Sequence, residues 1–112
     1  MNLKTEKNGD SLVLYINEER LDAHNSSDLK DTMLRFLENG EKSIIVDLKE
    51  VRFIDSSGLG ALLSGYKNAN LHQGNLALSG LQSRVQSMFE LTRLHQVFEI
   101  YPNTEEALGK ES

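Results

Sequence analysis

The 112-residue sequence contains no cysteine, which excludes disulfides, thiolate catalysis and zinc sites built on cysteine. It holds a single proline, Pro102, and eight glycines, so no linker or low-complexity segment divides the chain. No stretch approaches the roughly 20 apolar residues that a membrane-spanning helix requires. The opening residues, Met1 to Lys7, lack the apolar run of a secretory leader, and the cytosol is the expected compartment. Positive charge is scarce as well. Twelve Lys and Arg stand against seventeen Asp and Glu, for a formal net charge of -5 and a pI near 5.1. The basic residues are scattered, which argues against nucleic acid as a partner, because neutralising phosphates needs clustered Lys and Arg.

The residues of catalysis are also missing as sets. The three histidines, His24, His72 and His95, show no i, i+4 spacing of a helical metal site, and no cysteine assists them. No metal and no cofactor are expected. Gly58-Leu59-Gly60 is followed by Leu63 where a dinucleotide fingerprint needs a small residue, and no Walker lysine–serine pair exists. The G-x-S-x-G elbow of serine hydrolases is absent. The acid pairs Glu18-Glu19 and Glu105-Glu106 lie in polar segments. The sequence does not read as an enzyme.

What is present is one globular domain, expected over residues 1–112, with 38% hydrophobic and 26% charged residues. Asn8-Gly9 is a hairpin turn signal, since both residues tolerate positive φ. It joins a polar strand over residues 3–7 to the nearly continuous apolar run Ser11 to Ile16, which is expected to be covered on both faces. Asn25 reads as a helix N-cap, with Asp28 in the first turn. Leu29, Met33, Phe36 and Leu37 follow at helical spacing, and Asn39-Gly40 ends the helix as a left-handed cap. Ser43 to Leu48 is a β-branched central strand.

After Val51-Arg52-Phe53-Ile54 comes Asp55-Ser56-Ser57-Gly58, then a helix with Leu59, Leu62, Leu63, Tyr66 and Ala69 on one face. Gly74 turns the chain into a strand over residues 75–79. A helix over 82–92 carries Val85, Met88 and Phe89 inward, and a strand spans 97–100. Asn103 to Glu106 start a terminal helix containing Ala107 and Leu108. The order β-β-α-β-α-β-α-β-α predicts an α/β fold with a mixed, mostly parallel sheet, an N-terminal β-hairpin and about four helices.

One segment holds functional interest. Asp55-Ser56-Ser57-Gly58 lies at a strand-to-helix junction, where α/β proteins tend to place functional loops. Two readings stand side by side. Ser56 or Ser57 caps the helix by accepting from its orphan amides. Alternatively, Ser56 is a phosphorylation switch, because a phosphate there adds about -1.5 to -2 charges at the positive end of a helix dipole without unfolding the chain.

The run Ile44-Ile45-Val46-Asp47-Leu48 and then Val51 to Leu63, with its Asp-Ser-Ser-Gly-Leu-Gly core, resembles the signature of the STAS domain, nearest to the bacterial anti-sigma factor antagonists. Arg20-Leu21-Asp22-Ala23-His24-Asn25 is similar to the family's loop before its first helix. Gly74 to Leu78 and Leu91 to Phe98 extend the likeness over nearly the whole chain. The resemblance implies a protein that binds an anti-sigma factor, itself often a serine kinase, and so frees a sigma factor. The kinase would inactivate it by phosphorylating the position matched by Ser56, and a serine phosphatase would restore binding. Asp22, Asp55, Ser57 and Gly58 match positions of the docking face, with Ser57 also a cap or packing residue and Gly58 permitting close approach. ATP would belong to the kinase. Scaffold subunits of stress complexes and accessory subunits of lipid-transport ATPases share such domains and offer the alternative role. No long apolar face is left over for an obligate interface, so a monomer or weak dimer is expected.

Overall fold

The computed structural model describes residues 1–111. Two strands, β1 (Leu3–Asn8) and β2 (Ser11–Ile16), form the hairpin that Asn8-Gly9 predicts, pairing antiparallel from Leu3 against Ile16 to Asn8 against Ser11. Gly9 takes φ +61°, the left-handed value the tight turn needs. β4 (Ser43–Asp47), β6 (Asn75–Ser79) and β7 (Glu99–Tyr101) complete one sheet in the order β1-β2-β4-β6-β7, with every pairing after the hairpin parallel.

The crossovers from β2 to β4, β4 to β6 and β6 to β7 all step the same way across the sheet. Right-handed connections then place their helices on one face. Those helices are α1 (Ser26–Glu38), α2 (Ser56–Leu71) and α3 (Ser83–Leu91). Beneath them Leu12, Leu14, Ile16, Ile44, Val46, Leu76 and Leu78 form the core with Met33, Leu62 and Phe89. The alternate residues Val13 and Ile45 face the other way and are covered by Ala107 of the last helix, α4 (Thr104–Glu111). β2 is therefore buried on both faces, as its apolar run requires. Asn103 caps α4 as expected, its Oδ1 accepting from the Glu106 amide at 2.8 Å. The expected domain also includes Ser112, which lies outside the described residues.

Four expectations need correcting. Two short strands, β3 (Arg20–Leu21) and β5 (Phe53–Ile54), pair in parallel as a separate small sheet. Runs of two residues leave no periodicity to read. The last strand begins at Glu99 rather than Val97. Arg93 turns left-handed at φ +61°, a 3₁₀ turn follows over Leu94–Gln96, and Phe98 goes into the core edge-on to Tyr66 and Phe89. The third helix is Ser83–Leu91, one residue shorter at each end than expected. Asn25 precedes α1 without capping it through its side chain, because that amide is used in the loop described below. The C-terminal end of α1 behaves as its sequence predicts. Gly40, at φ +101°, donates to the Leu37 carbonyl while the Glu41 amide donates to that of Phe36, the double bond pattern of a Schellman end.

Candidate functional site

The junction between β5 and α2 is set by Asp55. Its backbone is still extended, with φ -111° and ψ -173°, and its Oδ1 accepts from the Gly58 amide at 3.0 Å. Asp55 is thus the N-cap of α2, and the expectation that Ser56 or Ser57 caps the helix is corrected. Capping needs a residue whose own backbone has not yet turned helical, and Ser56 is already the first helical residue. Its hydroxyl is exposed and makes no side-chain hydrogen bond among the described residues. Ser57 is half-buried and lines a cleft of about 250 Å³ between α1 and α2 with Ser26, Ser27 and Lys30.

The loop that leads into α1 is fastened against this helix start. The Asp55 amide donates to the Leu21 carbonyl at 3.2 Å, extending the β3–β5 pairing by one bond. Gly58 is buried beneath it: a Cβ there would stand 2.5 Å from the Leu21 carbonyl oxygen and 2.8 Å from Ile54 Cγ1. The close approach this glycine permits in the free chain is to its own Leu21 loop. Asn25 shapes that loop. Its Oδ1 accepts from the Asp22 amide at 2.9 Å and its Nδ2 donates to the Arg20 carbonyl at 2.8 Å. Asp22 in turn accepts from the His24 amide through Oδ1 at 3.0 Å, and its carbonyl accepts from Ser26 at 2.8 Å.

The structure consequently gathers Asp22, Asp55, Ser56 and Ser57 at one end of the molecule, with Gly58 underneath. Three neighbours in this arrangement lie outside the docking set that the motif implies. Asn25 holds the loop, and Arg20 and Phe53 stand side by side on the outer face of β3 and β5. The usable signal for Asn25 is that its side-chain amide can both accept from Asp22 and donate to Arg20; nothing local marks Arg20 or Phe53. The arrangement offers an accessible hydroxyl on the first turn of a capped helix.

Two of the histidines are already engaged with backbone carbonyls. His72 Nδ1 lies 2.9 Å from the Asn68 carbonyl, His95 Nδ1 lies 3.3 Å from that of Phe89, and no cluster of metal ligands occurs among the described residues. A groove of about 620 Å³ runs beside α4, walled in part by Tyr15, Asp47, Lys49 and Thr104. Its buried acid, Asp47, accepts from Thr104 Oγ1 at 2.7 Å and from the Lys49 amide at 3.0 Å, so it clasps α4 to the sheet. Burial pushes the Tyr15 hydroxyl above its ordinary pKa, with Glu6 and Asp47 adding to the rise. No helix among the described residues is long and apolar enough to cross a membrane.

The family model described as the STAS domain matches residues 2–107. An anti-sigma F factor antagonist of Paenibacillus polymyxa is 31% identical over 110 residues, covering 96% of this chain and 94% of that protein. An anti-sigma-B factor antagonist of Listeria monocytogenes is 30% identical over 95 residues, covering 85% and 82%. A Thermotoga maritima crystal structure, assigned to an anti-sigma factor antagonist, superposes with a TM-score of 0.91 at 28% identity, covering 96% of this chain and 92% of that one.

Proposed function

The chain belongs to the STAS domain family, and we propose that it is an anti-sigma factor antagonist, a cytoplasmic regulator that acts by binding and not by turnover. In this reading it docks on an anti-sigma factor with serine-kinase activity through the face formed by Asp22, Asp55, Ser56 and Ser57. Phosphorylation of Ser56 by that kinase ends the complex, and a serine phosphatase restores it. Gly58 serves the face from below by letting the Leu21 loop lie against α2.

The observation that carries the reading is the state of the Ser56 hydroxyl: exposed, without a side-chain hydrogen bond among the described residues, and on the first turn of a 16-residue helix whose cap is supplied by another residue. Because Asp55 does the capping, modification of Ser56 removes no structural bond. A phosphate adds about -1.5 to -2 charges. The helix dipole favours it by about 0.3–1 kcal/mol at an exposed site, which opposes its repulsion from Asp55. The fold therefore survives while the docking face gains a large negative charge, and each 1.4 kcal/mol lost from the interface weakens binding about tenfold.

The test is incubation with the source organism's serine-kinase anti-sigma factor and ATP, read by intact-mass spectrometry and site mapping. One phosphate on Ser56, with loss of the binary complex, is the expected result. A stable complex that forms with Ser56 unmodified refutes the switch and favours the scaffold or accessory role.

A further inference from the structure

The small sheet beside Ser56 carries a feature that phosphoryl transfer itself does not require. In β3 and β5 the buried pair is Leu21 and Ile54, so their neighbours Arg20 and Phe53 point outward together. Phe53 is left 38% exposed, and the Arg20 guanidinium lies 4.8 Å from its ring centroid. Arg20 has no ion-pair partner among the described residues; the neighbouring cation Arg52 is the one that pairs with Glu19, at 3.4 Å. The other exposed large apolar side chains, Leu71, Leu91 and Val97, lie at or beyond the carboxyl ends of α2 and α3, at the opposite end of the sheet.

We propose that Arg20 and Phe53 form the anchor on which the anti-sigma kinase docks, and that the kinase meets them with an apolar side chain against the ring and a carboxylate against the guanidinium. The inference rests on the reading of Ser56 given above. Three observations support it. The pair is continuous with the docking face, since the next residue along each strand leads to the Leu21–Asp55 bond. Aromatic and arginine side chains are the residue types that most often dominate interface energies, and here the guanidinium already lies over the ring in the free chain. A guanidinium covered by a partner without an acceptor would be left with unmatched donors, so the surface that covers it must bring oxygen atoms, and a carboxylate matches the fork in two bonds. The anchor is positive where Asp22 and Asp55 are negative. That polarity fixes the orientation in which a kinase reaches Ser56.

The experiment compares the full chain with Phe53→Ala and Arg20→Glu, using the purified serine-kinase anti-sigma factor as probe. Binding is read by calorimetry with ADP, and phosphorylation of Ser56 by steady-state kinetics with ATP. Each substitution is expected to weaken binding by about 30-fold, in line with truncation of an interface hot spot. KM for the chain should rise by a similar factor while kcat at Ser56 and the melting temperature stay near wild type. Arg20→Glu leaves the ring in place and reverses one exposed charge, so it tests the anchor even if Phe53→Ala folds poorly. Wild-type phosphorylation on Ser56 together with variant affinities and KM values equal to wild type overturns the anchor alone. A wild-type chain that neither binds nor is phosphorylated overturns the reading of Ser56, and the anchor falls with it.

Discussion

Replacing Gly58 by alanine places a methyl group where the Leu21 carbonyl already lies. The added Cβ would sit 2.5 Å from that oxygen, 2.8 Å from Ile54 Cγ1 and 3.1 Å from the Leu21 carbonyl carbon. Two of these are backbone atoms paired into the β3–β5 sheet, so no side chain can rotate away and the loop must move. Overpacking of this kind costs about 1–3 kcal/mol. Weakening the bond from the Asp55 amide to Leu21 adds about 1 kcal/mol, and the better helix propensity of alanine returns at most about 1 kcal/mol. The net expectation is destabilisation by about 1–3 kcal/mol.

Gly60, two residues on in the same helix, is exposed with nothing within 4 Å of its would-be Cβ. Gly60→Ala should therefore stabilise the chain by about 0.5–1 kcal/mol. The assay is urea unfolding followed by circular dichroism, with thermal melts alongside. The two variants should fall on opposite sides of wild type, with melting temperatures apart by about 6–16 °C, taking about 4 °C per kcal/mol for a domain of this size. Equal stability of Gly58→Ala and Gly60→Ala would refute the reasoning, because it would mean that the Leu21 loop does not rest against the start of α2. Asp22 and Asp55 would then not share a face.

The cap can be separated from the charge at Asp55: Asp55→Ala should lower stability by about 1 kcal/mol in chemical denaturation, whereas Asp55→Asn, which still accepts from the Gly58 amide, should lie close to wild type. Any loss of partner affinity in Asp55→Asn then reports the carboxylate's role in docking, measured by calorimetry. Thr104→Val removes the donor to the buried Asp47 carboxylate and should destabilise by about 1–3 kcal/mol, with hydrogen exchange of α4 rising more than that of α2. The raised Tyr15 pKa makes the neutral phenol the favoured folded form. Its contribution is complete below the ordinary value of 10.0 and is lost as pH rises through that value towards the higher folded one. Denaturation midpoints measured at increasing alkaline pH should fall more steeply for wild type than for Tyr15→Phe.

Much of this molecule is local and was legible in the sequence. Asn8-Gly9 has the residues a primed turn demands. Gly40 supplies the left-handed position that ends α1. The apolar periods of α1 and α2, and the unbroken run of β2, announce which faces are buried. The Asp-Ser-Ser-Gly-Leu-Gly core points to the candidate site through its family resemblance. Each of these signals acts between residues at most a few positions apart, where backbone preference and helical spacing decide the outcome.

What the tertiary structure alone decided is how distant pieces meet at that site. Neither Arg20-Leu21 nor Phe53-Ile54 is long enough to show a strand period; each is a strand only because the other lies beside it. The identity of the cap depended on where the backbone leaves β5, which made Asp55 the acceptor and freed Ser56. Asn25 has the composition of a helix cap, but its amide found better partners in Arg20 and Asp22 once the loop was folded. Gly58 looks like any glycine of a helix start until the Leu21 carbonyl is placed against it. Such contacts join segments far apart in the chain, and no local pattern encodes them, because their energy exists only after the core has brought those segments together.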